Sequence, residues 1–207
     1  MPLIRGARFL VIMTIKNLCV YCGSNTGNSP DYIEGARELA RELVNRDIGL
    51  VYGGASVGIM GAIADAVLSA GGRVVGIIPE HLMLKEIGHH ALTELHVVSS
   101  MHERKTLMAE RSDGFIALPG GAGTLEEIFE TWTWAQLGMH QKPCGLLNIA
   151  GYYDQLAGFL DHATQASFIR AEHRAMLIVE NEPAALLDRY AAYTPPTVSK
   201  WISPGEH

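Results

Sequence analysis

Cysteine is scarce in this sequence: three residues among 207, too few for a disulfide framework. Two of them form Cys19-Val20-Tyr21-Cys22, a C-x-x-C spacing, but no second such pair completes a zinc site. The run around them is apolar and strand-like rather than a helix start, and residues three apart on a strand point to opposite faces. Both are therefore expected as buried structural thiols. Lysine occurs only at positions 16, 85, 105, 142 and 200. Positive charge as a whole is in deficit, with a formal net charge of −6. That argues against a nucleic-acid binder, which needs a basic face to displace counterions. A local basic site for one small anion stays open. No apolar run approaches the roughly 18 residues that span a bilayer, so no membrane partner is expected. His89-His90 has no cysteine, histidine or acid at ligand spacing, which argues against a metal there.

What remains is ordinary globular composition, 48% apolar and 18% charged, on a chain that fits one domain. At the N-terminus, Arg5, Arg8 and Phe9-Leu10-Val11-Ile12-Met13 faintly resemble a secretory signal. The apolar stretch is short, Lys16 follows at once, and no small-x-small cleavage site is present. Residues 1–15 are expected as a disposable extension, with Met13 as an internal start, on a cytoplasmic protein. Residues 16–193 are expected as one domain and 194–207 as an irregular tail.

Short apolar runs alternate with amphipathic stretches. Strands are predicted at residues 17–22, 49–52, 73–78, 95–99, 114–118, 144–149 and 176–179, several apolar throughout, as in a parallel sheet covered on both faces. Ser29-Pro30-Asp31 supplies a cap, a first-turn proline and an early acid. After it Ile33, Ala36, Leu39, Ala40, Leu43 and Val44 form one apolar stripe. Further helices are predicted at 58–69, 102–111, 125–137, 153–166 and 183–190. The alternation implies βαβ units and an α/β, Rossmann-like doubly wound fold with a mostly parallel sheet flanked by helices. Ligands in such folds bind beyond the carboxyl ends of the strands.

The loops at those ends are rich in small residues: Cys22-Gly23-Ser24-Asn25, Gly53-Gly54-Ala55-Ser56-Val57-Gly58 and Pro119-Gly120-Gly121-Ala122-Gly123-Thr124. Before a helix, such a loop aims backbone N–H groups at a ligand, and the helix dipole favours an anion such as phosphate. The last loop lacks the lysine of a P-loop, and Glu126 stands where a dinucleotide fingerprint needs its third glycine. Thr124 is expected to cap the following helix, which puts Glu126 and Glu127 in its first turn. Glu126 is accounted for by the dipole. Glu127 can reach back over a bound sugar phosphate, and a carboxylate there repels phosphate unless it has a separate task. Arg104-Lys105 opens another helix against its dipole, a cost that a bound anion would offset, with Arg104 able to make a bidentate contact. Trp132 and Trp134 share the helix after Glu127; one can pack inward while the other meets a second subunit.

Pro119-Gly120-Gly121-Ala122-Gly123-Thr124-Leu125-Glu126-Glu127 fits P-G-G-x-G-T-x-x-E, and the sequence thereby resembles the LOG family. The likeness continues through Cys22-Gly23-Ser24, Tyr52-Gly53-Gly54, Ser56-Val57-Gly58-Ile59-Met60-Gly61, Ile78-Pro79 and Met101-His102-Glu103-Arg104-Lys105, about residues 16 to 193. Members of that family are phosphoribohydrolases of cytokinin riboside 5′-monophosphates, many long labelled lysine decarboxylases. The resemblance implies a homodimer that hydrolyses the N-glycosidic bond of an N6-modified AMP, or of AMP itself, to a free base and ribose 5-phosphate. No metal or redox cofactor is expected, since the sequence offers no ligand cluster, no complete dinucleotide fingerprint and no helix-placed C-x-x-C. Arg104 and Glu127 match the family's catalytic pair, and Gly120, Gly121, Gly123 and Thr124 match its phosphate loop. Ser24, Gly54, Lys105 and Met108 fall where the nucleotide lies. One departure is Ala55, where many members carry a third glycine and a methyl is expected to trim the pocket.

Two other classes compete. A decarboxylase would need pyridoxal phosphate on a Schiff-base lysine, and only Lys105 adjoins the site. A nucleotide or molybdenum-cofactor carrier of the same fold would not turn its ligand over, and it gains nothing from a carboxylate facing that ligand.

Overall fold

The computed structural model describes residues 14–83, 88–89 and 91–196. Most of the expected extension and tail, and His90, lie outside the described residues. All seven predicted strands form: β1 (Asn17–Tyr21), β2 (Gly49–Tyr52), β3 (Val74–Pro79), β4 (Glu94–Val98), β5 (Phe115–Ala117), β6 (Cys144–Leu147) and β7 (Leu177–Glu180). They pair in parallel throughout, in the order β4-β3-β2-β1-β5-β6-β7. The helices are α1 (Pro30–Asn45), α2 (Gly58–Ser69), α3 (Glu80–Met83), α4 (Met101–Glu110), α5 (Ala122–Gln136), α6 (Asp154–Gln165), α7 (Ala171–Ala175) and α8 (Pro183–Ala191). The single turns α3 and α7 carry no legible period and are additions to the sequence reading.

Two cores sandwich the sheet, and alternate strand residues divide between them. Leu18, Val20 and Cys22 join α1, α2 and α8 on one face, while Cys19 and Tyr21 join α5 and α6 on the other. The two cysteines thus face opposite sides, as their spacing requires. All three cysteines are free and buried, and burial pushes each thiol up. The α1 stripe buries Ala36, Leu39, Ala40 and Leu43, and Ser29 caps the helix by accepting from the Asp31 N–H at 3.2 Å.

The chain builds outward from β1 to β4 on one side, then returns to lay β5 against the other side of β1. β1 and β5 therefore flank the topological switch point, where a crevice opens beyond their carboxyl ends. The Gly23 N–H donates to the Pro119 carbonyl at 3.1 Å and ties the two loops together there.

Candidate active site

A cavity of about 360 Å³ occupies that crevice. Ser24 comes from the β1 loop, Gly53 from the end of β2, Arg104 from α4, and Gly121, Gly123, Thr124 and Glu127 from the start of α5. The three glycine loops are not equivalent. At the start of α2, the Ile59 and Met60 N–H groups donate to the Gly23 carbonyl, at 3.0 and 3.3 Å. Gly58, at φ 59°, leaves room for the Ser24 backbone there, so this helix start is filled by protein. α5 differs. Gly121 is its N-cap, and a Cβ at Gly121 or Gly123 would meet nothing within 4 Å. That open backbone, at the positive end of the helix, can receive an anion at close range.

Thr124 is not the cap expected of it. α5 begins at Ala122, so Thr124 is the third helical residue and Glu126 and Glu127 lie in the second turn. The reading of Glu126 as a dipole partner fails for the same reason; its carboxylate instead takes the Lys105 Nζ at 2.6 Å. Arg104 and Lys105 likewise sit beyond the first turn of α4, which Ser100 caps by accepting from the Glu103 N–H at 3.1 Å. Their opposition to the dipole is correspondingly weak. Lys105 pairs with Glu126 and with Glu130, 2.9 Å away.

Arg104 is 6% exposed. Its Nη2 donates to the Gly53 carbonyl at 3.4 Å and stands 3.9 Å from Glu127 Oε1, and its Nη1 lies 3.8 Å from Met101 Sδ. Its Nε is buried with no hydrogen-bond partner among the described residues. A cation this poorly satisfied, at a cavity wall, has donors to spare for an anionic or oxygen-rich ligand. A Cβ at residue 53 would collide with the guanidinium and the Met60 methyl, so glycine there lets Arg104 keep this position. Glu127 is nearly as buried. Burial pushes its carboxyl from 4.5 up to about 7, against the pull of Arg104 and Lys105 and with the push of Glu126 and Glu130. At 3.9 Å the Arg104 guanidinium does not overcome that desolvation.

Of the ten residues nominated from sequence, Arg104, Glu127, Ser24, Gly121, Gly123 and Thr124 line this cavity. Gly120 lines a neighbouring depression of about 250 Å³ behind the loop, which shares Gly23, Ser24 and Gly121 with the main cavity. The other three lie apart from the lining. Gly54 turns at φ 78° against Ile77 and Ile78, its carbonyl accepting from His89 at 3.0 Å. Met108 is a core residue, 1% exposed, and Lys105 is committed to its two carboxylates. Ala55 is fully buried and bridges to Gly88 rather than trimming the cavity. Gly53, Cys22, Met60, Leu82 and Met101 line the cavity without having been nominated. All of these but Leu82 stood inside quoted motifs, but sequence cannot tell which glycine of a pair faces a ligand.

His89 is a structural residue, bonded to Asp65 at 2.8 Å and accepting from the Ala91 N–H at 3.3 Å. Trp132 is buried, its Nε1 donating to the His173 carbonyl at 2.9 Å, while Trp134 is half-buried. Among the described residues no cluster of three or more metal-ligating side chains forms, and no helix is long and apolar enough to cross a membrane.

A family model described as "possible lysine decarboxylase" matches residues 60–190. A probable cytokinin riboside 5′-monophosphate phosphoribohydrolase of Oryza sativa subsp. japonica is 47% identical over 189 residues, 91% of this chain and 76% of that protein. A cytokinin riboside 5′-monophosphate phosphoribohydrolase of Arabidopsis thaliana is 48% identical over 180 residues, 87% of this chain and 84% of that one. Among solved structures, the Moco carrier protein of Chlamydomonas reinhardtii superposes with a TM-score of 0.64 at 19% identity, over 86% of this chain and 98% of its own. At that identity the likeness is one of fold. Sequence identity near one half over most of both chains, with the signature loop forming the wall of the cavity, places this chain in the LOG family.

Proposed function

We propose that this chain hydrolyses the N-glycosidic bond of adenosine 5′-monophosphates, N6-modified or plain, releasing the free base and ribose 5-phosphate. One observation carries the reading: a buried carboxyl, Glu127, stands 3.9 Å from a buried guanidinium, on the wall of the cavity that the open α5 start also lines. The α5 backbone N–H groups take the phosphate. Arg104, whose Nη groups make only long contacts of 3.4 to 3.9 Å at the cavity wall, takes phosphate or ribose oxygen. Met60, Leu82 and Met101 give the purine apolar walls.

As the C1′–N bond breaks, the base leaves with the bonding pair and positive charge builds on C1′ and the ring oxygen. The Glu127 carboxylate stabilises that charge and takes a proton from the water that attacks C1′. The departing base takes up a proton and the products are neutral base and ribose 5-phosphate. A carboxyl titrating near 7 is better matched to that proton than an ordinary one. Neither a decarboxylase nor a passive carrier uses this arrangement: Lys105 is occupied by carboxylates, and a carrier has no use for a buried acid beside its ligand. The protein works as a homodimer in the cytoplasm in this reading. Leu137 and Met139, 48% and 68% exposed at the end of α5, support a subunit contact there. Incubation with AMP and with an N6-substituted AMP, followed by chromatography for free base and ribose 5-phosphate, tests the activity. Retention of intact nucleotide would end the proposal.

A further inference from the structure

Behind the signature loop, two consecutive tyrosines reach one carbonyl within it and one just before it. The Tyr152 hydroxyl donates to the Gly120 carbonyl at 2.6 Å, and the Tyr153 hydroxyl donates to the Leu118 carbonyl at 2.6 Å. Both side chains come from a tight turn after β6 in which Ala150 and Gly151 adopt φ of 50° and 71°. A non-glycine residue in that region is strained and persists only where its surroundings hold it. Asn148 does the holding. Its Oδ1 accepts from the Tyr153 N–H at 2.6 Å, and its Nδ2 donates to Asp154 at 2.7 Å and to Asn181 at 3.0 Å. The ring of Tyr152 is further fixed edge-on against Tyr32 and Tyr153, with centroids 5.6 and 5.0 Å away.

We propose that Tyr152 is a positioning residue for the substrate's 5′-phosphate, acting through the Gly120–Gly121 peptide. A peptide unit is planar and trans, so its C=O and N–H point in opposite directions. With the Gly120 carbonyl held toward Tyr152, the Gly121 N–H is turned away from the depression and toward the main cavity, which Gly121 also lines. Gly120 packs against Thr124 and Gly23, but on the Gly121 side the peptide has open space, since even a Cβ there would meet no atom within 4 Å, so the tyrosine bond is what fixes that side. Glycine lets the backbone approach the phosphate, and the tyrosine removes the freedom that glycine would otherwise leave. Tyr153 anchors the fixed end of the loop, and being buried it is a poor probe. Tyr152, 42% exposed, can lose its hydroxyl without leaving a hole in the core.

This inference rests on the proposed phosphoribohydrolase activity, and its test separates the two. KM and kcat for AMP, and competitive inhibition by ribose 5-phosphate, are measured for the wild type, Tyr152→Phe and Tyr32→Phe. Loss of one hydrogen bond that orders a phosphate donor is expected to raise KM and the inhibition constant together by about three- to tenfold in Tyr152→Phe. kcat should change less than KM, and Tyr32→Phe should keep the wild-type KM. Unchanged KM and inhibition constant in Tyr152→Phe, or a loss confined to kcat, overturns the positioning role and leaves the activity standing. Should the wild type release no base, the proposed function falls, and calorimetric binding of ribose 5-phosphate decides the rest. Weaker binding by Tyr152→Phe than by wild type then upholds the positioning role, and equal or undetectable binding by both overturns it.

Discussion

Glu127 concentrates the energetic conflict of the site. Its carboxyl titrates at about 7 in the folded chain against 4.5 ordinarily, so the fold holds that proton more tightly than the unfolded chain does. Between those values the folded state binds more protons, and stability falls as pH rises, the full cost being present above about pH 7. The shift corresponds to about 3 kcal/mol at most, at roughly 1.36 kcal/mol per unit. Glu127→Gln, neutral at every pH, should therefore melt above the wild type at pH 8 and close to it at pH 4.5. Equal melting temperatures at pH 8 would show that burial does not disfavour the charge. The same variant should lose about 100- to 10,000-fold in kcat, the usual contribution of a positioned acid–base group. For the wild type, kcat/KM should rise with pH to a plateau just above 7. Because phosphate itself ionises near about 6, the substrate-free melting comparison is the cleaner measure of Glu127. At this scale the sequence was informative where chemistry is unusual and poor where neighbours decide. An acid beside a glycine-rich loop and an arginine in a helix, both of which line the cavity, were legible. Lys105 and Met108 were not: one helical step from Arg104 turns Lys105 toward the α5 carboxylates, and four steps leave Met108 on the same face but a turn deeper, in the core.

Elements explain why one glycine loop of three can take a ligand. Strand positions were readable because both faces of a parallel sheet are apolar, and α1 and α2 because their caps or periods are regular. The start of α5 was misread since glycines at its N-cap and second helical position look like loop. Their purpose makes a paired prediction. Gly123→Ala fits the backbone and the empty space around it, so it should fold and gain up to about 1 kcal/mol of helix stability. Its methyl would occupy the phosphate's approach, and KM for AMP should rise by about tenfold or more, the equivalent of losing a charge-assisted hydrogen bond. Gly58→Ala meets the Ser24 backbone at a positive φ and should lower the melting temperature or prevent folding. A stable Gly58→Ala with full activity would contradict the close contact between the β1 loop and α2.

At the scale of the molecule, the strand order places β1 and β5 side by side at the switch point, and that adjacency was foreseeable only as a class of fold. Which loops would meet, and that the Gly23 carbonyl would fill the start of α2, depended on crossovers that no local pattern encodes. In the proposed reaction the charge is met by groups of the protein itself that line the cavity: a helix start, Arg104 and Glu127. Activity should consequently survive exhaustive dialysis against EDTA; loss that a divalent cation restores would call for a metal-bound phosphate instead.

The central claim is that phosphate recognition drives cleavage of the glycosidic bond, and initial rates of adenine release from AMP and from adenosine at matched concentrations test it most directly. Binding energy from the phosphate, remote from C1′, orients the ribose over Glu127 and so raises turnover as well as affinity. Two or more charge-assisted hydrogen bonds to a phosphate, each about 1.5–3 kcal/mol, amount to at least about a hundredfold in kcat/KM. The account predicts that AMP exceeds adenosine by that margin or more. Comparable kcat/KM for the two would contradict it, and with it the assignment of the α5 loop.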